Sequence, residues 1–254
     1  MLSIVVICIF IALIVLLGVI VMEKNQIAEY KNKPVKITGD FTYTAHTGCM
    51  DTKENSLESI EIGAEYGANI VEFDVRYMNG VPVLSHDEPR GGEVTLKEAF
   101  LKVKEYENLK VNVDMKSVEY AETVKAIAKE TGVTERIFFT GIEEKDVEVI
   151  KKNCEGIEYY LNVDVVKPKK QNAEYIQSLV EKVESVGAVG INMNKDNATQ
   201  EIVDAFHKKG LLVSIWTVSQ EGDIYEILSL GPDNITTRRP DKLREALKEI
   251  NYIN

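Results

Sequence analysis

The chain has 254 residues, 44% of them hydrophobic, which is enough apolar material for one large core or two small ones. Its formal net charge of −11 at pH 7 argues against nucleic acid, or an anionic membrane surface, as the main partner. A phosphate-bearing substrate stays possible, because a local site can differ in charge from the whole chain. The cysteines, Cys8, Cys49 and Cys154, form neither a disulfide framework nor a zinc-binding pattern.

The N-terminal segment predicts a membrane anchor. Residues 2–22 contain no charged side chain, and a helix of about 20 apolar residues crosses the hydrocarbon core of a bilayer. A cleaved signal peptide is the alternative, but its apolar core runs for roughly 7–15 residues behind a basic stretch and ends in small residues. No Lys or Arg precedes this run, and residues 21–25 offer no such cleavage site. We therefore expect an uncleaved transmembrane helix over residues 1–22 and a polar tether over residues 23–40.

The lysines after the apolar run bear on the side of the membrane that holds the rest of the chain. Positive residues next to a span favour the cytoplasmic side. Four lysines follow this one: Lys24, Lys31, Lys33 and Lys36. They favour a single-pass protein with a cytoplasmic C-terminal part, although a large folded domain can also be exported, so both sides stay open.

From residue 41 onward, short apolar runs alternate with helical patterns. Candidate strands begin near Tyr43, Ile70, Lys110, Arg136, Glu158, Ala188, Leu211 and Asp233. Helical patterns follow them in residues 56–66, 96–106, 118–131, 143–153, 173–186, 199–209, 221–228 and 242–250. Eight parallel strands with following helices are typical of a (β/α)8 TIM barrel, which we predict over residues 41–254. A doubly wound open sheet is the alternative.

A ninth candidate strand, over residues 81–85, follows the Ile70 strand too closely to be its parallel neighbour. A parallel crossover needs a dozen or more residues. Asn79-Gly80, which lies between the two strands, is instead typical of a tight hairpin turn. We expect a short antiparallel strand beside the second barrel strand.

Two carboxylates on one strand indicate a cation site. The alternation along residues 70–75 places Glu72 and Asp74 on one face and apolar side chains on the other. Neighbouring carboxylates in such an apolar strand are costly unless a cation lies between them. Asp114, on the next predicted barrel strand, adds a third, although it could instead form a structural ion pair with Lys116. Three carboxylates suit Mg²⁺ or Ca²⁺ better than zinc. A solvated edge strand is the alternative.

Two of the three histidines fall at predicted strand ends, where the active sites of such barrels lie. His46 and His86 could supply the acid and the base of a phosphodiester cleavage, or they could be two unrelated surface residues. Two more residues allow two interpretations each. Asn55 either caps the following helix or belongs to the site. Trp216, the single tryptophan, either fills the barrel or forms a wall for the substrate.

Together these residues resemble the glycerophosphodiester phosphodiesterase family. The matching segments lie in order between residues 43 and 241: Thr44-Ala45-His46-Thr47-Gly48, Glu54-Asn55-Ser56, Val71-Glu72-Phe73-Asp74-Val75-Arg76, Pro82-Val83-Leu84-Ser85-His86-Asp87, Val113-Asp114-Met115-Lys116, Ser214-Ile215-Trp216-Thr217-Val218 and Gly231-Pro232-Asp233-Asn234-Ile235-Thr236-Thr237. The resemblance implies a (β/α)8 barrel that hydrolyses small diesters such as glycerophosphocholine to glycerol 3-phosphate and an alcohol.

The resemblance also implies roles for single residues. Glu72, Asp74 and Asp114 would hold a divalent cation, Mg²⁺ or Ca²⁺, against the phosphoryl oxygens. The histidine pair named above would act as acid and base, with the glycerol hydroxyl of the substrate attacking phosphorus through a cyclic intermediate. Lys116 would neutralise the phosphate.

Three features depart from the family pattern. The family usually has Arg after the first His, where it grips phosphate, and this chain has Thr47. Asp114 is shorter than the Glu that is usual at its place. Residues 88–92 lead almost directly into a helix, where the family often has a longer insert over the substrate. A more open mouth and a membrane anchor together suggest a lysophospholipid-like substrate.

Two other functions fit parts of the pattern. A phosphoinositide-type phospholipase also uses two histidines on a barrel and would release a cyclic phosphate, but the carboxylate cluster favours a metal enzyme. A catalytically weak binding module would have kept the site and lost rate with Thr47. The leading hypothesis is a membrane-anchored, metal-dependent hydrolase of glycerophosphodiesters or lysophospholipids.

Overall fold

The computed structural model describes residues 2–31, 33–37 and 39–253. Met1, Asn32 and Thr38, which fall within the predicted anchor and tether, lie outside the described residues, as does Asn254. The strands are β1 (Thr42–Ala45), β2 (Ile70–Met78), β3 (Val81–Leu84), β4 (Lys110–Met115), β5 (Ile137–Ile142), β6 (Tyr159–Asn162), β7 (Gly190–Asn194), β8 (Leu212–Trp216) and β9 (Asn234–Thr237). The helices are α1 (Leu2–Lys31), α2 (Leu57–Glu65), α3 (Leu96–Lys104), α4 (Ala121–Thr131), α5 (Val147–Asn153), α6 (Ala173–Ser185), α7 (Gln200–His207), α8 (Glu221–Leu230) and α9 (Pro240–Glu249).

The strands form a closed parallel barrel. They follow the order β1-β9-β8-β7-β6-β5-β4-β2, and β1 also pairs with β2, so the sheet has no open edge between its first and last barrel strands. Helices α2 to α9 surround it. The predicted TIM barrel is therefore confirmed, and the open doubly wound sheet is wrong.

The additional strand β3 lies where the turn chemistry predicts it. It pairs antiparallel with the second half of β2, with Val75 opposite Leu84 and Met78 opposite Val81. The turn residues Asn79 and Gly80 both have positive φ, 49° and 88°, which Asn and Gly adopt more readily than other residues. The hairpin delivers the segment after β3 to the same end of the barrel as the end of β2.

The alternating pattern of the barrel strands divides their side chains between two environments. In β2, the buried Phe73 points outward and packs against Phe100 of α3, with ring centroids 6.1 Å apart. Its neighbours Glu72 and Asp74 point into the barrel. Apolar residues thus join the strands to the helices, and polar residues collect inside the barrel near the carboxyl ends of the strands, here called the mouth.

One close approach between strands requires glycine. A β-carbon added at Gly190 in β7 would lie 2.0 Å from the carbonyl oxygen of Leu212 in β8. Because that neighbour is backbone, the clash can be relieved only by moving the strand. We expect Gly190→Ala to lower the free energy of unfolding by roughly 3 kcal/mol, measured by denaturation of the full chain in detergent. Gly39→Ala, whose methyl would meet open space, should leave stability unchanged; equal effects would contradict the packing argument.

The N-terminal helix is longer than predicted. The window Cys8–Lys31 is apolar and long enough to cross a membrane, a property that signal sequences share. The helix does not end near Met22, where the tether was expected to begin, but continues to Lys31. Residues 33–37 belong to no helix or strand. The helix continues because its last turns contact α8, so tertiary packing orders residues whose polar composition is typical of a linker.

Candidate active site

The register of the barrel brings the acidic side chains together. Asp74 of β2 pairs in register with Asp114 of β4, and Asp114 pairs in turn with Thr140 of β5. Glu72 lies one inward-facing position below Asp74 on the same strand. One carboxylate oxygen from each of the three acids lies within 4.8 Å of the other two. Residues far apart in sequence therefore form one compact cluster at the mouth.

Burial makes this cluster electrostatically costly without a cation. The side chains of Glu72 and Asp74 are buried, at 6% and 3% exposure. Burial, followed by the charges of Asp74 and Asp114, raises the pKa of Glu72 well above its usual range. Burial would also raise the pKa of Asp74, but the charge and hydrogen bond of Lys116 and a hydrogen bond from Asn55 lower it instead. Glu72 lacks a positive partner as strong as the one that Lys116 provides for Asp74.

Lys116 lies inside the cluster. Its ammonium is 2.8 Å from Asp74 Oδ1 and also pairs with Asp114 Oδ2. Burial lowers the pKa of Lys116, but the two carboxylates more than offset that effect and raise it. The ion pair with Asp114 that the sequence left open as an alternative is present, and Asp74 shares it.

The loop after β1 supports the cluster from below. Thr47 is buried, and each of its polar groups is engaged: its N–H donates to Glu72 Oε2 at 2.9 Å, and its hydroxyl accepts from the Asn55 N–H at 2.6 Å. Asn55 has a positive φ of 55°. The side-chain Nδ2 of Asn55 donates to Asp74 Oδ2 at 2.9 Å, and its side-chain Oδ1 accepts from the Asp74 backbone N–H at 3.0 Å. Ser56, not Asn55, caps α2. Asn55 therefore positions Asp74 and does not line the cavity.

His46 has a defined tautomer. Its Nδ1 lies 2.8 Å from the carbonyl oxygen of Thr47, and because a carbonyl can only accept, Nδ1 must carry the proton. The lone pair is then on Nε2, on the side of the ring away from this bond. Burial lowers the pKa of His46, and the charge of Arg238 lowers it further against the opposing effect of the Thr47 carbonyl. The imidazole is therefore neutral at neutral pH and can accept a proton.

His86 and Trp216 line the same cavity as His46, a mouth-side cleft of about 470 Å³. His86 is exposed, and its Nδ1 donates to Asp87 Oδ1 at 3.0 Å, which leaves Nε2 available. Trp216 ends β8 and contributes to the wall, although its indole N–H is buried without an acceptor among the described residues. The structure thus brings both histidines and the acidic cluster to one cleft.

Arg238 is among the cavity residues that the sequence analysis did not identify. Arg238, which follows β9, reaches across the loop after β1: a β-carbon added at Gly48 would lie 3.6 Å from its Nη1. The guanidinium pairs with Glu54 at 2.5 Å, and both side chains are nearly half exposed. Its backbone is held by Ser219, whose hydroxyl accepts from the Arg238 N–H at 3.0 Å. The motif Thr-Arg-Arg-Pro gave no signal beyond the start of a helix.

The chemistry of the acidic cluster fits a divalent cation. Its ligand atoms are hard carboxylate oxygens within 4.8 Å of one another, and two of the three acids are buried. Burial, followed by the charges of Asp74 and Asp114, raises the pKa of Glu72, so the ionised form of Glu72 is disfavoured in the cluster as it stands. A cation bound by these oxygens would offset the remaining charge. The set contains no nitrogen or sulfur ligand of the kind that zinc prefers.

Fold and cleft together define a TIM-barrel enzyme whose acidic cluster can bind a divalent metal at the mouth. The profile of the glycerophosphoryl diester phosphodiesterase family matches residues 39–97 and 93–242. The chain therefore belongs to this family of phosphodiesterases, and the resemblance read from its motifs is confirmed. No curated protein sequence matches the chain.

Solved structures agree on the fold. A glycerophosphodiester phosphodiesterase from Thermotoga maritima is 24% identical and has a TM-score of 0.61 over 81% of this chain and 97% of its own. One from Parabacteroides distasonis ATCC 8503 is 18% identical, with a TM-score of 0.67 over 84% and 98%. A phosphodiesterase from Oleispira antarctica, solved with the product sn-glycerol-3-phosphate, is 19% identical, with a TM-score of 0.66 over 82% and 96%.

Proposed function

We propose that the chain hydrolyses glycerophosphodiesters to glycerol 3-phosphate and an alcohol, with His46 and His86 as the acid–base pair. The observation that carries this proposal is the convergence of two histidines and three carboxylates on one cleft in a chain of this family. The product bound to the Oleispira antarctica relative supports glycerol 3-phosphate as the product here.

The two histidines differ in ways that suit different steps. Neutral His46, with its lone pair on Nε2, accepts a proton from the attacking hydroxyl, which is the glycerol hydroxyl of the substrate in the first step. His86, which donates through Nδ1 to Asp87, holds a second proton at Nε2 for the departing alcohol. In the second step water opens the cyclic phosphate and the roles reverse. The net reaction consumes one water.

The acidic cluster would hold the cation whose positive charge phosphoryl transfer needs. Glu72, Asp74 and Asp114 would hold Mg²⁺ or Ca²⁺, whose Lewis acidity would offset the negative charge that develops on the phosphoryl oxygens. Asn55 keeps Asp74 in position through two hydrogen bonds. Lys116 shares the cluster and adds positive charge beside the phosphate.

We assign to Arg238 the role of binding the substrate phosphate from the outer side of the cleft. Thr47 cannot contact substrate, because its polar groups are engaged within the fold and its side chain is buried. Arg238 approaches the same side of the cleft as His46, whose pKa its charge lowers. Its partner Glu54 is partly exposed, and exposed ion pairs are worth only about 0–1 kcal/mol, so a phosphate can replace Glu54.

We expect Arg238→Ala to lower kcat/KM by about 10- to 150-fold, mainly through KM, because a charge-assisted hydrogen bond is worth roughly 1.5–3 kcal/mol. Steady-state kinetics with glycerophosphocholine measure this. Glu54→Gln is the matched variant: it removes the partner of Arg238 and keeps the guanidinium, so KM should stay the same or fall. Equal losses of kcat/KM in the two variants would show that activity depends on the ion pair between Arg238 and Glu54, and not on phosphate binding by Arg238.

Release of glycerol 3-phosphate from glycerophosphocholine, with and without chelator, tests the proposed reaction. We expect release that chelator abolishes and that Mg²⁺ or Ca²⁺ restores. Accumulation of a cyclic phosphate as the final product would indicate a phosphoinositide-type reaction instead. Absence of any product, with an intact fold and cation present, would indicate a binding module.

We propose further that α1 is an uncleaved membrane anchor with the barrel on the cytoplasmic side. Its apolar length and the lysines that follow it support this. External protease on intact cells should leave the barrel uncut. Cleavage in intact cells would place the barrel outside, and recovery of a chain that begins after residue 22 would contradict the anchor.

A further inference from the structure

The last turns of α1 pack along one barrel helix. Ile27 lies beside Gly222 at the start of α8, since a β-carbon added to this glycine would be 3.6 Å from Ile27 Cγ1. After the helix, Lys36 lies against Gly231 at the end of α8, where an added β-carbon would be 2.7 Å from Lys36 Cβ. The segment from residue 27 to residue 36 therefore follows α8 from its beginning to its end.

The order of these contacts fixes the direction of α1 relative to the barrel. Because α8 follows β8, it begins at the mouth and ends at the opposite end of the barrel. The N-terminal segment runs the same way, from Ile27 at the mouth to Lys36 at the far end. Residues 2–22 must then extend away from the barrel on the mouth side. Met22 precedes Ile27 by only about 7.5 Å of helix.

Charged contacts hold this arrangement. The ammonium of Lys31 is 2.8 Å from Glu249 Oε2 and 3.8 Å from Glu221 Oε1. It also lies 4.5 Å from the centre of the Tyr225 ring. With Ile27 packed against the core, the end of α1 has both apolar and ionic contacts with α8 and α9.

The part of α1 beyond the mouth has the properties of a bilayer segment. Phe10, Leu17 and Met22 are among its large apolar side chains, and each is more than half exposed. Residues 2–22 extend about 30 Å as a helix, the thickness of a hydrocarbon core. Exposed Lys24 follows immediately, where a positive side chain would meet the lipid head groups if the helix spans a bilayer. A bilayer would bury the exposed apolar side chains of α1.

A second mouth-side element has the composition of a membrane-facing loop. The segment after β6 presents Lys167 and Lys169 next to Val166, which is 46% exposed. Lys170 follows them but is half-buried, and its ammonium donates to the Asp196 carbonyl at 3.0 Å. Asp196 pairs with Lys167 and partly offsets its charge. This local excess of lysines in an acidic chain suits lipid phosphates.

We infer that α1 holds the mouth of the barrel towards the bilayer, and that the site takes its phosphodiester from the membrane. The substrate class is then a lysophospholipid, whose acyl chain stays in the bilayer while its head group enters the cleft; this assignment rests on the proposed function. In the net reaction the bond from phosphorus to the head-group oxygen breaks, and water oxygen bonds to phosphorus. The departing alcohol takes a proton, and lysophosphatidic acid remains.

Energy transfer to acceptor dyes on lipid head groups tests the orientation without using activity. The full chain carries Cys8→Ser, which leaves the buried Cys49 and Cys154, and is reconstituted in phosphatidylcholine nanodiscs. A donor is placed at Glu144→Cys, just before α5 on the mouth side, or at Glu155→Cys, just after α5 on the far side of the barrel. We expect stronger transfer from position 144. Equal or reversed transfer would overturn the orientation.

Variants of Lys31 test whether the docked helix sets this orientation. Lys31→Glu repels Glu221 and Glu249, so the difference in transfer between the two donor positions should shrink. The double variant Lys31→Glu/Glu249→Lys restores an attractive pair and should restore the difference. An unchanged difference in Lys31→Glu would show that these contacts do not orient the barrel.

The substrate is tested in the same nanodiscs with lysophosphatidylcholine, and with glycerophosphocholine in solution. We expect both to be hydrolysed, and Lys31→Glu to lower only the lysolipid rate, roughly tenfold if about a tenth of the barrels stay oriented. Hydrolysis of glycerophosphocholine alone, with the expected transfer difference, would overturn the lysophospholipid assignment. Hydrolysis of neither, with that difference present, would overturn the proposed function and leave the orientation standing.

Discussion

Replacing His46 with Gln is expected to lower kcat/KM for glycerophosphocholine by roughly a thousandfold, within the range for loss of a general base. The reason is specific to Nε2: the Thr47 carbonyl fixes the proton on Nδ1, and burial keeps the ring neutral. Glutamine can still donate to this carbonyl but cannot accept a proton from a hydroxyl. The fold should persist, which thermal unfolding of the full chain in detergent would check.

The pH profile separates this role from a structural one. Because the pKa of His46 is lowered, the acid limb of kcat/KM in the native enzyme should fall below pH 6.5, the usual pKa of histidine. His46→Gln should lose that limb together with the rate. His207→Gln is the matched control, since this third histidine pairs with Asp233 at 2.8 Å, before β9 at the far end of the barrel. A comparable loss in this control would contradict a special role for His46.

The sequence was most informative where local chemistry decides the structure. Alternation alone placed Glu72 and Asp74 on one face, because successive side chains of any strand point to opposite sides. Asn79-Gly80 predicted the hairpin because few other residue pairs accept positive φ at two consecutive positions. The meeting of Asp114 with Asp74 needed one more premise, the parallel barrel, and the in-register pairing of β2 with β4 then followed.

The features that the sequence did not determine depend on long-range contacts. Arg238 reaches the cleft by crossing Gly48, which no pattern around residue 238 encodes. Asn55 was ambiguous because Asn is a good cap, and only its positive φ and its bonds to Asp74 separate the two roles. The extension of α1 was missed because its last turns are ordered by packing against α8. Their polar composition alone is typical of a linker and does not predict this packing.

Replacing Glu72 with Gln should separate stability from activity. The expected loss of cation-dependent kcat/KM is roughly a thousandfold, since a metal ion supplies several kcal/mol of charge stabilisation. In chelator, however, Glu72→Gln should unfold at a higher temperature than the native chain, because the neutral amide can keep the Thr47 contact and removes a buried charge beside two carboxylates. Thermal scans of the full chain with and without Mg²⁺ measure both effects.

The sign of the pH dependence gives a further check on this variant. The pKa of Glu72 is higher in the folded chain than in the unfolded chain, so between the two values the folded state binds more protons. Its contribution to the free energy of unfolding therefore falls as pH rises above the unfolded value, and this decline should be absent in Glu72→Gln. Cation binding favours the ionised carboxylate and should stabilise the native chain more than the variant. A variant less stable than the native chain in chelator would mean that the carboxylate supports the fold and that no ion is needed to offset it.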